Sequence, residues 1–536
     1  MSGKTHGQVS YAVIIRSVFS AALFCTACSA GPSNAVIVRA DSTVGTINPN
    51  IYGHFAEHLG NCIYEGIWVG PNSPIENVRG IRTDVVNALK KLKPPVVRWP
   101  GGCFADSYHW RDGIGPRHKR PKRVNVHWGR VVELNQFGTD EFIDFCRQIG
   151  AEPLVAANVG SGTAAEMRDW LEYMNRKDGS TLAQMRAANG HPEPFNVRYI
   201  CIGNENWGCG GSMSPGQYAR LYRRFATFCH FAPAEAGLYK IACGPSGTNY
   251  DWTRGFFEEI TGRVGYGRNR LGAVQAFDLH YYTRSRGYGT ATDYTTEQFY
   301  GFLAKCLRIE KIIQKHWDIM GQYDPEHRVK LAVCEWGAWH KVIEGTNPRF
   351  LRQQNSIRDA LLAGLTLNIF NRHCDKIDMA NIAQMINVLQ CMILTRGPRM
   401  VLTPTYHVFE MYVPHQHGEA LGCEVLSEKI EFTLNGSTET IDRIAASCSR
   451  KADTITLSLV NTCADRPTDV AIVFFGIDDV KLKSWRVLAG DDIHACNSFD
   501  QPNRVTPAPM AGPGDGTELT LLPASVNVLT YQVSKK

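Results

Sequence analysis

Over residues 50–420 the chain repeats one pattern eight times: a short apolar run, a Gly-rich or polar turn, then an amphipathic stretch. The apolar runs span 51–60, 96–102, 153–160, 197–206, 240–244, 276–282, 330–337 and 379–389. Helical candidates lie between them, such as 140–149 (DEFIDFCRQI) and 217–228 (QYARLYRRFATF). Apolar strands that alternate with helices imply a parallel sheet joined by crossovers. Eight such units fit the α/β class and a (β/α)8 TIM barrel. A doubly wound open sheet is the competing arrangement, but no GxGxxG or P-loop follows any of these runs.

The texture changes after residue 420. Segments 430–434, 454–460, 470–475 and 526–533 are short and rich in Val, Ile, Thr and Phe, with Asn, Asp, Gly and Pro between them. They predict a jelly-roll-like, all-β sandwich. The early run 35–40 (AVIVRA) is expected to pair with it. The chain then divides into a leader (1–30), an N-terminal strand region (31–48), a catalytic-size barrel (49–420) and a C-terminal sandwich (421–536). No repeat of fixed period and no low-complexity tract interrupts this plan.

The leader reads as a signal peptide. Lys4, His6 and Arg16 precede the apolar stretch 18–30, and Cys28 and Ala30 are small enough for cleavage before Gly31. An uncleaved anchor is the alternative, but Arg16 breaks the run, which is short for the roughly 20 residues a span needs. Export to the periplasm or medium is the expectation, with the cytoplasm left open. No membrane span is expected in the mature chain. The formal charge is +6, from 57 basic and 51 acidic residues. Without the two leader positives, Lys4 and Arg16, it is +4. That is too little for a dedicated nucleic-acid binder. Of 17 cysteines, 15 lie beyond the leader, many inside apolar runs (Cys201, Cys243, Cys334). They read as small buried hydrophobes and weigh mildly against an oxidising medium, in tension with the leader.

Active sites of such barrels form at the C-terminal ends of the strands. The polar residues there are Glu57, then Arg98, Trp99 and Asp106, then Asn204, Glu205 and Trp207. His280 and Tyr282, then Glu335, Trp336 and Trp339, and finally Gln384 follow. Ten of the 11 Trp lie between Trp68 and Trp339. Carboxylates beside aromatic platforms suit glycoside hydrolysis, which needs one carboxyl to protonate the leaving oxygen and another as nucleophile or base. A single strand-end Glu is more often a structural ion pair; three on one barrel face point to function. His280 can equally be a hydrogen-bonded core residue. His54–His58 (HFAEH) matches the H-x-x-E-H zinc-peptidase pattern, but it sits on a predicted strand and loop rather than a helix. Asn435 opens an NGS glycosylation sequon.

At these residues the chain resembles the α-L-arabinofuranosidases of glycoside hydrolase family 51. The motifs are GHFAEHLG, VRWPGG, WRDGIGPR, FGTDEF, GNENWGCGG, HYY, CEWGAW, NIAQMINVL and GDDIHACNSF, in that order. The resemblance implies a retaining, exo-acting hydrolase that removes terminal α-L-arabinofuranosyl units from arabinoxylan, arabinan or related oligosaccharides. It implies Glu205 as acid/base and Glu335 as nucleophile. It also implies Glu57, Asn204, Tyr282 and Gln384 around the sugar, with Trp128 and Trp339 toward the leaving group. Trp99, His280 and Cys103 are added as substrate-binding candidates. Cys103 stands where Asn is frequent, Gln136 where Glu is usual, and VCEWG replaces the commoner DEWN. No metal or other cofactor is implied, and a homo-oligomer is. Other retaining barrel glycosidases (endo-β-glucanase, β-xylosidase) and a non-catalytic carbohydrate-binding protein are the alternatives.

Overall fold

The computed structural model describes residues 34–233, 237–262, 271–477 and 479–534. The expected leader, 1–30, lies outside these described residues. Strand β1 (Ala35–Thr46) comes first, and then eight parallel strands close into a barrel. These are β2 (Gly53–Phe55), β3 (Val96–Trp99), β4 (Glu152–Ala157), β5 (Tyr199–Ile202), β6 (Tyr239–Ala242), β7 (Ala276–Arg284), β8 (Lys330–Trp339) and β9 (Ile377–Ala383). Each overlaps one predicted apolar run.

The crossover helices follow from apolar spacing and caps. In α1 (Thr83–Leu92) Val85, Val86, Leu89 and Leu92 form the buried stripe, and left-handed Lys93 ends it. In α2 (Thr139–Ile149) the stripe is Phe142, Ile143, Phe145, Cys146 and Ile149. The helix Pro215–Thr227 begins with Ser214 and Gln217 capping each other's backbone, and Pro215 takes the first turn.

Inside the barrel, Val96, Leu154, Ala156, Cys201, Ile241, Ala276, Ala332, Cys334 and Met379 form a closed apolar floor. Each of the larger side chains contributes roughly 1.5–3 kcal/mol by leaving water. The opposite, C-terminal end of the same strands carries the charged residues described below.

The C-terminal region holds one continuous nine-stranded sheet and, apart from it, a hairpin of Lys429–Leu434 with Ser437–Asp442, so the predicted run 430–434 is not one of the sandwich strands. Strand β1 lies in the nine-stranded sheet, antiparallel to Glu419–Leu426 and parallel to Thr468–Phe475. The sheet folds over on itself: Phe474 and Tyr531, on strands far apart in the sheet order, meet at 5.0 Å between ring centroids. Its two layers are therefore halves of one hydrogen-bonded sheet, enclosing Val36, Ile455, Leu457, Trp485 and Leu529. The outer face of one half packs on the helix Ile357–Arg372, where Asn368 Oδ1 accepts from Ser447 (2.8 Å) and Ser458 (2.7 Å). Gly364 permits this approach, since a Cβ there would lie 2.9 Å from Val460 Cγ2. Among the described residues no helix is long and apolar enough to cross a membrane.

Candidate active site

Side chains of a strand alternate between its two faces, and this alternation selects what reaches the barrel mouth. On β3, Val96 belongs to the floor and Val97 to the outer layer. Arg98 therefore points in and Trp99 out. Trp99 is fully buried, stacks on Phe142 of α2 at 4.9 Å, and donates its indole N–H to His58 Nε2 at 3.1 Å. It is a packing residue between strand and helix, not the sugar contact expected of it. On β7 the alternation is regular: Ala276 lies in the floor, and Asp278, His280 and Tyr282 follow inward at every second position.

Glu335 breaks the alternation. Leu331 and Val333, of its own parity, pack in the outer layer. It turns inward because β8 holds one residue more than its neighbours. Asp278 pairs with Ala332 and His280 with Glu335, two steps against three. On the other side Val333 pairs with Ala380 and Trp336 with Ile382, three steps against two. This bulge re-aims the carboxylate into the mouth, as bulges beside active sites do.

Glu205 follows β5 on a turn with φ +92° at Gly203 and φ +42° at Glu205 itself. A left-handed conformation at a non-glycine residue costs on the order of 1–3 kcal/mol and marks a position that the surroundings enforce. The turn is held by Gly208 N–H on the Glu205 carbonyl at 2.7 Å.

These side chains converge. Arg98 Nη1 donates to Glu335 Oε1 at 2.8 Å, and Nη2 to Asn204 Oδ1 at 2.5 Å. Tyr282 donates to Glu335 Oε2 at 2.9 Å. His280 lies between the carboxylates, with Nδ1 at 2.9 Å from Glu205 Oε1 and 3.6 Å from Glu335 Oε2, and Nε2 at 2.8 Å from Asp278 Oδ2. The nearest oxygens of Glu205 and Glu335 lie within 4.8 Å of each other. The Glu205 side chain is 20% exposed and that of Glu335 8%, so the first reaches toward solvent and the second sits below it. Burial opposes the charge of Asp278, but His280, Arg98 and the Cys334 N–H outweigh it and hold its pKa below the usual value. Burial likewise opposes a charge on His280, but Asp278, Glu335 and Glu205 raise its pKa well above that of a free imidazole.

Glu57 forms the opposite wall. Its Oε1 accepts from Phe104 N–H (3.1 Å) and Trp128 Nε1 (2.7 Å), and its Oε2 from Gln384 (2.9 Å). Burial and the nearby Glu335 push its pKa up to about 7 against those three donors. The glycines of PGG make room for it: a Cβ on Gly101 or Gly102 would lie 2.7 or 2.6 Å from its side chain. Trp128 is half-buried, and Trp339 meets Tyr282 edge-on at 5.1 Å with Arg284 over its face at 4.0 Å.

Cys103 is joined to Cys209 in a disulfide, and the two sulfurs lie 3.9 and 3.7 Å from Glu205 Oε2. Its side chain is thus a rigid wall, whereas Cys201, Cys243 and Cys334 are free, buried thiols as their apolar runs imply. Sequence reasoning missed Cys209 and Asp278. The signals were present: two cysteines in Gly-rich strand-end loops (PGGC and GCGG), and Asp278 at the same parity as His280 and Tyr282.

HFAEH does not gather. His54 is buried against Phe409, while His58 binds Glu133 at 2.9 Å and Trp99. Among the described residues two sets come near metal-ligand spacing, Cys103–Glu205–Cys209 and Glu205–His280–Glu335. The first offers disulfide sulfurs rather than thiolates, and in the second the His280 nitrogen that faces the set is hydrogen-bonded to Glu205.

Two family models match the chain: an α-L-arabinofuranosidase 1 domain over residues 88–299 and an α-L-arabinofuranosidase C-terminal domain over residues 335–525. An intracellular exo-α-L-arabinofuranosidase of Bacteroides ovatus is 45% identical over 90% of this chain and 91% of its own length. An intracellular exo-α-(1→5)-L-arabinofuranosidase of Bifidobacterium longum is 31% identical over 92% and 91%. Among solved structures, a GH51 arabinofuranosidase from Xanthomonas axonopodis pv. citri has a TM-score of 0.87 at 40% identity, covering 93% of this chain and all of that one. An α-L-arabinofuranosidase of Thermotoga maritima in complex with arabinose has a TM-score of 0.77 at 32% identity, again over 93% and 100%.

Proposed function

Because the chain belongs to the α-L-arabinofuranosidases of glycoside hydrolase family 51, we propose that Glu335 and Glu205 carry out a retaining double displacement at the barrel mouth. The enzyme is a glycoside hydrolase acting on α-L-arabinofuranosides. The observation that carries the mechanism is the pair of carboxylates within 4.8 Å oxygen to oxygen. Retaining enzymes hold their carboxyl groups about 5–5.5 Å apart, whereas inverting ones need about 6.5–9.5 Å to admit a water.

Glu335 suits the nucleophile. It is the deeper of the two, and Arg98 and Tyr282 donate to its two oxygens and fix its orientation. Glu205 suits the acid/base, because it faces the solvent side from which a leaving group departs and water enters. In the first step Glu335 attacks the anomeric carbon while Glu205 gives its proton to the leaving oxygen. In the second, Glu205 takes a proton from water, which displaces Glu335. Glu57, Asn204 and Gln384 supply the polar contacts of the sugar, and Trp339 with Trp128 the apolar faces toward the leaving group.

The natural substrates under this reading are arabinose-decorated polymers or oligosaccharides such as arabinoxylan and arabinan. We keep export of the chain as part of the proposal. The 1–30 leader and a disulfide at the mouth support it, whereas the B. ovatus and B. longum relatives are named intracellular. A mature chain that starts at Gly31 is the expected result of N-terminal sequencing. A panel of aryl glycosides tests the activity. Turnover of the α-L-arabinofuranoside far above the β-xyloside and β-glucoside is expected, and a flat profile overturns the reading.

A further inference from the structure

We infer that His280 is a positioning residue: it holds a positive charge between the two carboxylates throughout the reaction and so dictates which oxygen of Glu205 passes the proton. This rests on the roles assigned above to Glu205 and Glu335. The argument is one of counting donors. Asp278 accepts two backbone N–H groups on Oδ1, from Leu279 (2.7 Å) and Cys334 (3.0 Å), which keeps it an ionised acceptor. Its Oδ2 then requires a proton on His280 Nε2, at 2.8 Å. The other nitrogen, Nδ1, faces Glu205 Oε1 at 2.9 Å and Glu335 Oε2 at 3.6 Å. A neutral imidazole has one N–H and would have to take the Glu205 proton as a hydrogen bond on Nδ1, tying it up; the imidazolium donates on both sides and leaves that proton free for the leaving group.

The groups around this pair come from several strands. Asp278 is on β7 itself, Glu205 follows β5, Glu335 and Cys334 are on β8, Cys243 follows β6, and Arg98 reaches in from β3. Arg98 is the one other cation of this set, and it is bound to Glu335 Oε1, on the side away from the oxygen near His280. The anions therefore exceed the charge that Arg98 can balance, and the imidazolium makes up part of the difference.

The consequence is atomic. With Oε1 of Glu205 accepting from His280, the transferable proton sits on Oε2. That oxygen faces the Cys103–Cys209 sulfurs at 3.9 and 3.7 Å, which are weak acceptors. Nothing there competes with the leaving oxygen for the proton. The proton moves from Oε2 to the glycosidic oxygen, and the Glu205 carboxylate that remains is stabilised by the His280 N–H. In the second step the same Oε2 receives a proton from water. His280 neither gains nor loses one.

The test is the pH dependence of kcat/KM for wild type, H280Q and D278N on an aryl α-L-arabinofuranoside. Loss of the cation makes both carboxylates harder to ionise, so both limbs of the profile move to higher pH in H280Q, by about 1–3 units for a charge at this range. D278N keeps the ring but removes the anion that holds its proton, and the limbs move the same way. A merely structural role lowers the rate and leaves both limbs in place, and that result overturns the inference. If H280Q fails to fold, nitrogen-15 NMR of the wild-type histidine rings decides. A doubly protonated ring at pH 8 that is lost in D278N supports the inference; no such ring overturns it. A wild type inert toward the arabinofuranoside removes the reaction as well, whereas an active wild type with unmoved limbs in the variants removes only the role of His280.

Discussion

The floor and the mouth of the barrel are built from the same strands a few residues apart, and they obey different rules. On β3, Val96 belongs to the floor and Arg98 to the mouth; on β7, Ala276 gives way to Asp278 and His280. The floor is apolar, regular in its alternation and closed. The mouth concentrates buried carboxylates, a left-handed Glu205, and a strand that carries one residue too many. Local regularity is thus given up where chemistry is done, and the floor pins the strands well enough to permit it. It follows that substitutions at the mouth are expected to change rates far more than stability, and substitutions in the floor the reverse.

The sharpest test of this division is Glu335→Ala. With no nucleophile, turnover of an aryl arabinofuranoside is expected to fall on the order of 10⁴-fold or more, as loss of a covalent nucleophile does elsewhere. The cavity left at the mouth is open to water and small anions, so azide is expected to restore turnover as a glycosyl azide of inverted configuration. The melting temperature should stay close to that of the wild type. Full activity in this variant removes Glu335 as the nucleophile, and a large drop in melting temperature breaks the contrast between mouth and floor.

The converse experiment is Leu154→Ala on β4. Leu154 is fully buried in the floor. Truncation there removes apolar contact and leaves a cavity, for a loss of about 2–5 kcal/mol of stability. Because the Leu154 side chain lies among the apolar floor residues rather than among the carboxylates, kcat/KM at a temperature well below melting should remain within about threefold of the wild type. Calorimetry and kinetics on one preparation check both halves. A hundredfold loss of rate with little loss of stability shows that floor and mouth are coupled rather than separate.

The same contrast explains what could be read from the chain alone. The eight strands were legible because apolar runs of strand length alternate with capped helices, and regular parity on β7 places His280 and Tyr282 together. Parity also assigns Trp99 to the outer layer, since Arg98 beside it faces in. Its position in a strand-end motif concealed this. Glu335 is the harder case, because simple alternation sends it outward with Leu331 and Val333. Nothing local in KLAVCEWGAW announces the extra residue, which exists only relative to β7 and β9. The Cys103–Cys209 pairing, 106 residues apart, needed the closed barrel to bring two loops together. In the C-terminal region short β runs revealed strands and class, but not that one continuous sheet supplies both layers.

The smallest expected effect concerns the cost of burying charge at the mouth. Glu57 has its pKa raised from the ordinary 4.5 to about 7, first by burial and then by Glu335. Between those values the folded protein keeps a proton that the unfolded chain has released. The stability linked to this proton is therefore fully present below pH 4.5 and is lost as pH rises through about 7. Glu57→Gln has no proton to release at this site. The melting temperature of the wild type minus that of the variant should accordingly decrease from pH 5 to pH 8, by about 1–3 °C. Taking the difference cancels the titration of groups common to both proteins. A difference that is constant with pH means that Trp128, Gln384 and the Phe104 N–H hold Glu57 ionised in spite of its burial, and that this wall of the mouth is as settled as the floor beneath it.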